Sequence, residues 1–75
     1  MSLRSPLRER LWSRADEAPG LDPAIWRVDH EGRLMSWWDF GDRGSAFGWT
    51  VAPVQQENVV RFAAVNLTTQ KAPGS

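Results

Sequence analysis

A small α+β domain is the fold class this sequence predicts. Three observations point there: a proline-started helical stretch at the beginning, a Trp-rich pair of strand-like runs around a turn, and a second strand-like pair following a loop rich in Gly and Asp. The chain has 75 residues, which fits one domain with little margin of core burial over chain entropy. It contains no cysteine and one histidine, so disulfides, thiolate zinc sites and an imidazole cage are unavailable as braces. Five tryptophans and three phenylalanines must do that work, each able to bury ~150–250 Å².

Ser5 can cap a helix opening at Pro6, because its side-chain oxygen accepts from a free amide and proline lacks only an N–H that would be unpaired there. A helix over 5–17 follows. Leu7, Leu11 and Ala18 form its apolar stripe, with Leu3 and Ala15 at the edges. Arg4, Arg8, Arg10 and Arg14 rim that stripe, where their stems can cover apolar surface while the heads reach water. Pro19-Gly20 stops the helix. Asp22-Pro23 then starts an extended or turn segment, since the residue before proline is pushed away from helical angles.

Ile25 to Val28 and Arg33 to Trp37 flank Asp29-His30-Glu31-Gly32, a connection whose glycine suits a hairpin, so a hairpin is expected over 25–38. His30 sits in that turn as a solvated polar residue. Trp37 and Trp38, if both are on the strand, face opposite sides, which leaves one of them exposed, covered by the helix, or buried in a partner. Gly41 and Gly44 mark a structured loop. A second strand pair is expected over 47–62, with Pro53 ending the first strand or setting it at an edge and a turn at Gln55 to Asn58. Residues 59–69 carry signals for both strand and a short terminal helix, and 71–75 read as a disordered tail. Trp12, Trp26, Phe47 and Trp49 should share a core with Leu7, Leu11, Leu34 and Val51, and Gly48 should permit close backbone approach beside Trp49.

Charge is unevenly spread along a chain of zero net charge. Residues 1–14 sum to +3, 15–42 to −5 and 43–75 to +2. A nucleic-acid surface would therefore have to be a local patch, and Arg4, Arg8, Arg10, Arg14, Arg43 and Arg61 are its candidates. Asp39 and Asp42 beside Arg43 could form a catalytic pair, but no activated nucleophile or phosphate-cradling glycine loop accompanies them, and turn capping accounts for them. No apolar run approaches the ~20 residues that cross a bilayer, and the start carries no secretion signal, so a cytoplasmic location is the expectation.

Several features recur in order: a Trp at position 12, Pro19-Gly20, Asp22-Pro23, Trp26-Arg27 followed by Asp29, then Gly32, Phe40-Gly41 and Phe47-Gly48-Trp49. In that order they resemble small bacterial HNH endonucleases over about Leu11 to Asn58. The resemblance implies a ribbon and helix that clamp one divalent ion, with a histidine that activates water, an asparagine that orients the loop and a second metal-binding histidine. At the matching positions this chain has Ala52 for the metal-binding aspartate, Pro53 for the base, Asn58 for the loop asparagine and Ala63 near the second histidine. A degenerate, HNH-like core over 22–66 without metal, cofactor or nuclease activity is thus the expectation. Binding remains as the function: to a protein or to a second copy as a homodimer, with Trp37 and Trp38 as contact candidates. Residual non-specific DNA binding is the alternative. A lesser one is an inhibitor of a nucleic-acid enzyme, in which the acidic middle block imitates phosphate.

Overall fold

The structure, a computed structural model, describes residues 6–71. The helix α1 (Pro6–Arg14) is followed by the strands β1 (Asp16–Glu17), β2 (Trp26–Val28) and β3 (Leu34–Ser36), then a 3₁₀ turn over Trp37–Asp39. After a loop come β4 (Trp49–Gln56), β5 (Val59–Asn66) and the short helix α2 (Leu67–Lys71). Two antiparallel sheets result, one of three strands in the order β1-β2-β3 and one ribbon of β4 and β5. The α+β class and both strand pairs agree with the sequence reading.

The first helix is shorter than 5–17, and Ser5, Leu3 and Arg4 lie outside the described residues. It ends at Arg14 because Asp16 and Glu17 leave it to pair with Val28 and Arg27. Arg27 holds this exit in place: its guanidinium donates to the carbonyls of Ser13 (3.1 Å) and Ala15 (2.8 Å) at the helix end, and its Nε to that of Pro23 (3.0 Å). Trp12 Nε1–H donates to the same Pro23 carbonyl at 3.0 Å. One proline carbonyl thereby fixes both the helix and the start of β2.

The hairpin of β2 and β3 turns through Asp29 to Gly32, with Gly32 in the left-handed region at φ 82°. Trp37 and Trp38 do not continue the strand, so the alternation argument fails there. In the 3₁₀ turn, Trp37 packs on Trp12 and Trp49 while Trp38 is 75% exposed. The ribbon closes through Glu57 and Asn58, both at positive φ (52° and 68°), the mirror-image turn that matches strand twist. Residues 59–69 resolve into strand through Asn66 and helix from Leu67. Lys71 ends that helix, and 72–75 lie outside the described residues.

Trp49 and Met35 are fully buried, and with Trp12 and Ala64 they form the main core between α1, β3 and the near half of the ribbon. Aromatic rings surround Trp49: Trp12 at 4.7 Å, Phe40 at 4.9 Å and Trp37 at 5.6 Å between centroids. A second cluster of Ala52, Val54 and Val65 occupies the opposite face of the ribbon. Of the expected core, Leu11, Trp12 and Trp49 are buried, while Trp26, Leu34 and Val51 are half-buried. Leu7 is a correction: it is 54% exposed although it shares a face with Leu11, because it lies in the first turn of α1 and the buried part of that helix is Leu11 and Trp12. Phe47 is another, lying exposed as an edge-on cover for Trp26 at 5.2 Å.

Gly48 fulfils its expected role. A Cβ there would collide with the backbone carbonyl of Asp42 and crowd Leu67. Overpacking of this kind costs about 1–3 kcal/mol, so Gly48→Ala should lower unfolding free energy by that amount in urea titration. Trp49 Nε1 is buried with no hydrogen-bond acceptor, in contrast to that of Trp12. Trp49→Phe should therefore cost about 1 kcal/mol less than Trp12→Phe by the same titration, since only the latter breaks a hydrogen bond.

Candidate functional site

The densest polar arrangement lies where the hairpin tip meets the end of the ribbon. Asp29 is buried, and its Oδ1 accepts from the amides of Glu31 (3.0 Å) and Arg33 (2.9 Å), closing its own turn. Its Oδ2 accepts from the amide of Asn66 at 3.0 Å, across to β5. Asn66 is only 1% exposed. Its Nδ2 donates to the carbonyls of Leu34 (2.8 Å) and Ala46 (3.0 Å), and its Oδ1 caps α2 by accepting from Thr68 N–H at 2.7 Å. Thr69 also donates to Asp29 while accepting from Arg33 Nη1 at 2.9 Å.

These donors decide the charge of Asp29. Burial pushes its carboxyl upward, but the Thr69 hydroxyl and the amides of Arg33, Asn66 and Glu31 outweigh it and hold the group below the ordinary aspartate value. Every partner belongs to the fold, so these groups brace the hairpin against the ribbon. The asparagine whose side chain binds backbone groups is Asn66. Asn58 is exposed in the ribbon turn.

Ala52 faces Ala63 directly across the ladder, and Pro53 faces Phe62. A divalent ion does not fit this donor set, because methyl and pyrrolidine groups supply no lone pair. Among the described residues, no cluster of three His, Cys, Asp or Glu side chains is placed to hold a metal. His30 lines clefts on both sides of the ribbon, and its Nε2 lies 3.7 Å from Glu31.

The arginine candidates do not gather as one patch. Arg8 lies over the ring of Phe40 at 4.2 Å, with the Trp37 ring 5.9 Å away, so its guanidinium is engaged in packing. Arg10 and Arg43 are exposed on α1 and in the loop after β3, and Arg4 lies outside the described residues. Arg14 and Arg61 are brought together: both line a cleft of about 310 Å³ beside the outer edge of β5, with Asp16 and His30. Asp39 and Asp42 stabilise their own loop, Asp39 accepting from the Ser45 hydroxyl (2.6 Å) and Asp42 from Gly44 N–H (2.9 Å).

The far half of the ribbon is the other unspent surface. Val60 and Phe62 are 63% and 58% exposed, and Val59 and Pro53 beside them are exposed too. The sequence alone does not single out these β5 residues, because the strand-or-helix ambiguity of 59–69 leaves their faces undefined. In comparison with known proteins, no family model, curated protein or solved structure matches the chain. No helix among the described residues is long and apolar enough to cross a membrane.

The carboxylate of Asp29 gives a signed pH dependence. Its folded value lies below the ordinary 3.8, so its stabilisation is complete above that value and is lost as pH falls below 3.8 through the folded value. Asp29→Asn should cost about 2–3 kcal/mol at neutral pH, the scale of hydrogen bonds to a charged group. Guanidinium titrations repeated from pH 7 down should show that deficit shrinking only below 3.8.

Proposed function

We propose that this chain is a non-catalytic binding module on an HNH-like frame, acting through contacts with protein, including a second copy of itself. The observation that carries the reading is the apolar far half of the ribbon, where Val60 and Phe62 stand in solvent although Trp49, Met35 and Ala64 already fill the core. A chain this small leaves few large apolar side chains to spare, and an exposed cluster of them marks an interaction surface. Trp38 adds a further exposed aromatic ring, of the residue type most enriched at interface hot spots.

Two arrangements support the absence of nuclease chemistry. The ribbon positions that resemble the ion-binding pair hold Ala52 and Pro53, and the one asparagine with structural duties is locked by three hydrogen bonds of its side chain. The strand, strand, helix order of β4, β5 and α2 supports descent from such a frame. Dispersal of the arginines, with Arg8 stacked on Phe40, weighs against the nucleic-acid reading.

Purified chain incubated with plasmid DNA and Mg²⁺, Mn²⁺ or Zn²⁺ should leave it intact, and short duplex DNA at low salt should show no saturable binding at micromolar protein. Cleavage stopped by EDTA and abolished in His30→Ala or Glu31→Gln would overturn the non-catalytic reading. Saturable duplex binding would replace it with the nucleic-acid one. Trp38→Ser should keep unfolding free energy within about 0.5 kcal/mol of wild type, as its exposure requires.

A further inference from the structure

Both long edges of the ribbon differ in what they offer a further strand. In an antiparallel ladder, opposed residues alternate between pairs that exchange both hydrogen bonds and pairs whose N–H and C=O groups point outward. The turn closes on Gln56 and Val59, so Gln55 with Val60, and Pro53 with Phe62, are outward-pointing pairs. The other end of the ladder obeys the same alternation: Trp49 C=O accepts outward from Gly41, and Asn66 N–H donates outward to Asp29. On β4 the outward position at mid-edge is Pro53, which has no N–H to give. On β5 the outward groups of Val60 and Phe62 take no partner among the described residues.

We infer that the outer edge of β5 is a docking edge whose occupant is the β5 strand of a second copy, paired antiparallel about a twofold axis through Val60. This rests on the binding-module reading and names its partner. Charge and sterics together select the register. An axis through Arg61 would set two guanidinium groups opposite each other. An axis through Phe62 would drive the partner strand along the edge toward Ala64, which is buried in the core shared with α1. With the axis at Val60, Arg61 opposes the partner's Val59, and Phe62 reaches diagonally over the partner's Val60 on the shared apolar face.

The same register delivers the partner's turn to the cleft beside β5. Glu57 of the partner subunit then enters a space lined by Arg14, Arg61 and His30 together with the carboxylates of Asp16 and Asp29, the latter already held by its own hydrogen bonds. Arg14 and Arg61 carry no ion pair among the described residues, so the incoming carboxylate has two guanidinium groups to pair with. The arrangement repeats on both sides of the axis, joining the two ribbons through a seam of Val59–Arg61 from each β5, with Pro53 on each outer strand.

The test uses the full chain, which has no native cysteine. Opposed residues of a hydrogen-bonded pair stand ~5.5 Å apart at Cα, within disulfide reach. Val60→Cys should oxidise to a covalent dimer at least about tenfold faster than Gln55→Cys, its neighbour across the ribbon, because only the former is held at high effective concentration. In sedimentation over a series reaching millimolar protein, wild type should dimerise. Arg61→Glu and Glu57→Lys should each weaken the dimer about tenfold, and the double exchange should restore it. A monomer throughout, equal oxidation rates, no rescue by the double exchange, or a dimer lost in Trp38→Ser but not in Val60→Lys would overturn the inference. Those results leave the plasmid and duplex outcomes untouched, so the two readings fail separately.

Discussion

One buried carboxylate joins the two halves of this molecule. Asp29 closes its own hairpin with one oxygen and holds the amide of Asn66, 37 positions away, with the other. Asn66 in turn gathers β3, the loop before β4 and the first turn of α2. Apolar packing alone would not fix the angle between a three-stranded sheet and a ribbon, since it has little directional preference. Hydrogen bonds do, and leaving any of these buried groups without its partner would cost more than the bond contributes when made.

Around that brace, aromatic residues do what a larger core would otherwise do. Trp12, Trp37, Phe40 and Trp49 touch through edge-on or tilted rings, and the outer members shield the inner one. Gly48 lets the loop carrying Asp42 close over this cluster. Arg27 and Trp12 meet at the Pro23 carbonyl, so the helix is attached by directed bonds as well as by packing. In the near half, Trp49 Nε1 is the buried side-chain donor left without an acceptor among the described residues, while the far half of the ribbon carries the exposed apolar side chains.

The elements were legible where local chemistry dictates them. Gly32 and the positions around it announce the first hairpin, Pro6 announces the helix start, and Gly48 beside Trp49 signals close approach. Long-range pairing was not legible. Nothing local says that Asp16 and Glu17 abandon the helix to pair with β2, or that Asn66, within a run readable as strand or helix, is the last ladder residue and a cap at once. Asp29 did carry a signal, as the first residue of a turn with glycine three places on, but its reach to β5 depends on tertiary placement. Trp38 was legible only as one of two adjacent rings that a strand would turn to opposite faces, and the exposure of Phe62 carried no local signal because hydrophobicity alone does not report it.

The Pro23 carbonyl that receives both Trp12 and Arg27 has a consequence for the order in which the chain is assembled. Its bonds span only 11 and 4 positions, so helix, loop and first hairpin can form as one local unit at small entropic cost. The ribbon, closed by a two-residue turn, is a second such unit. Joining them brings Asp29 to Asn66 across 37 positions, so the larger loop-closure cost of the fold falls on that seam.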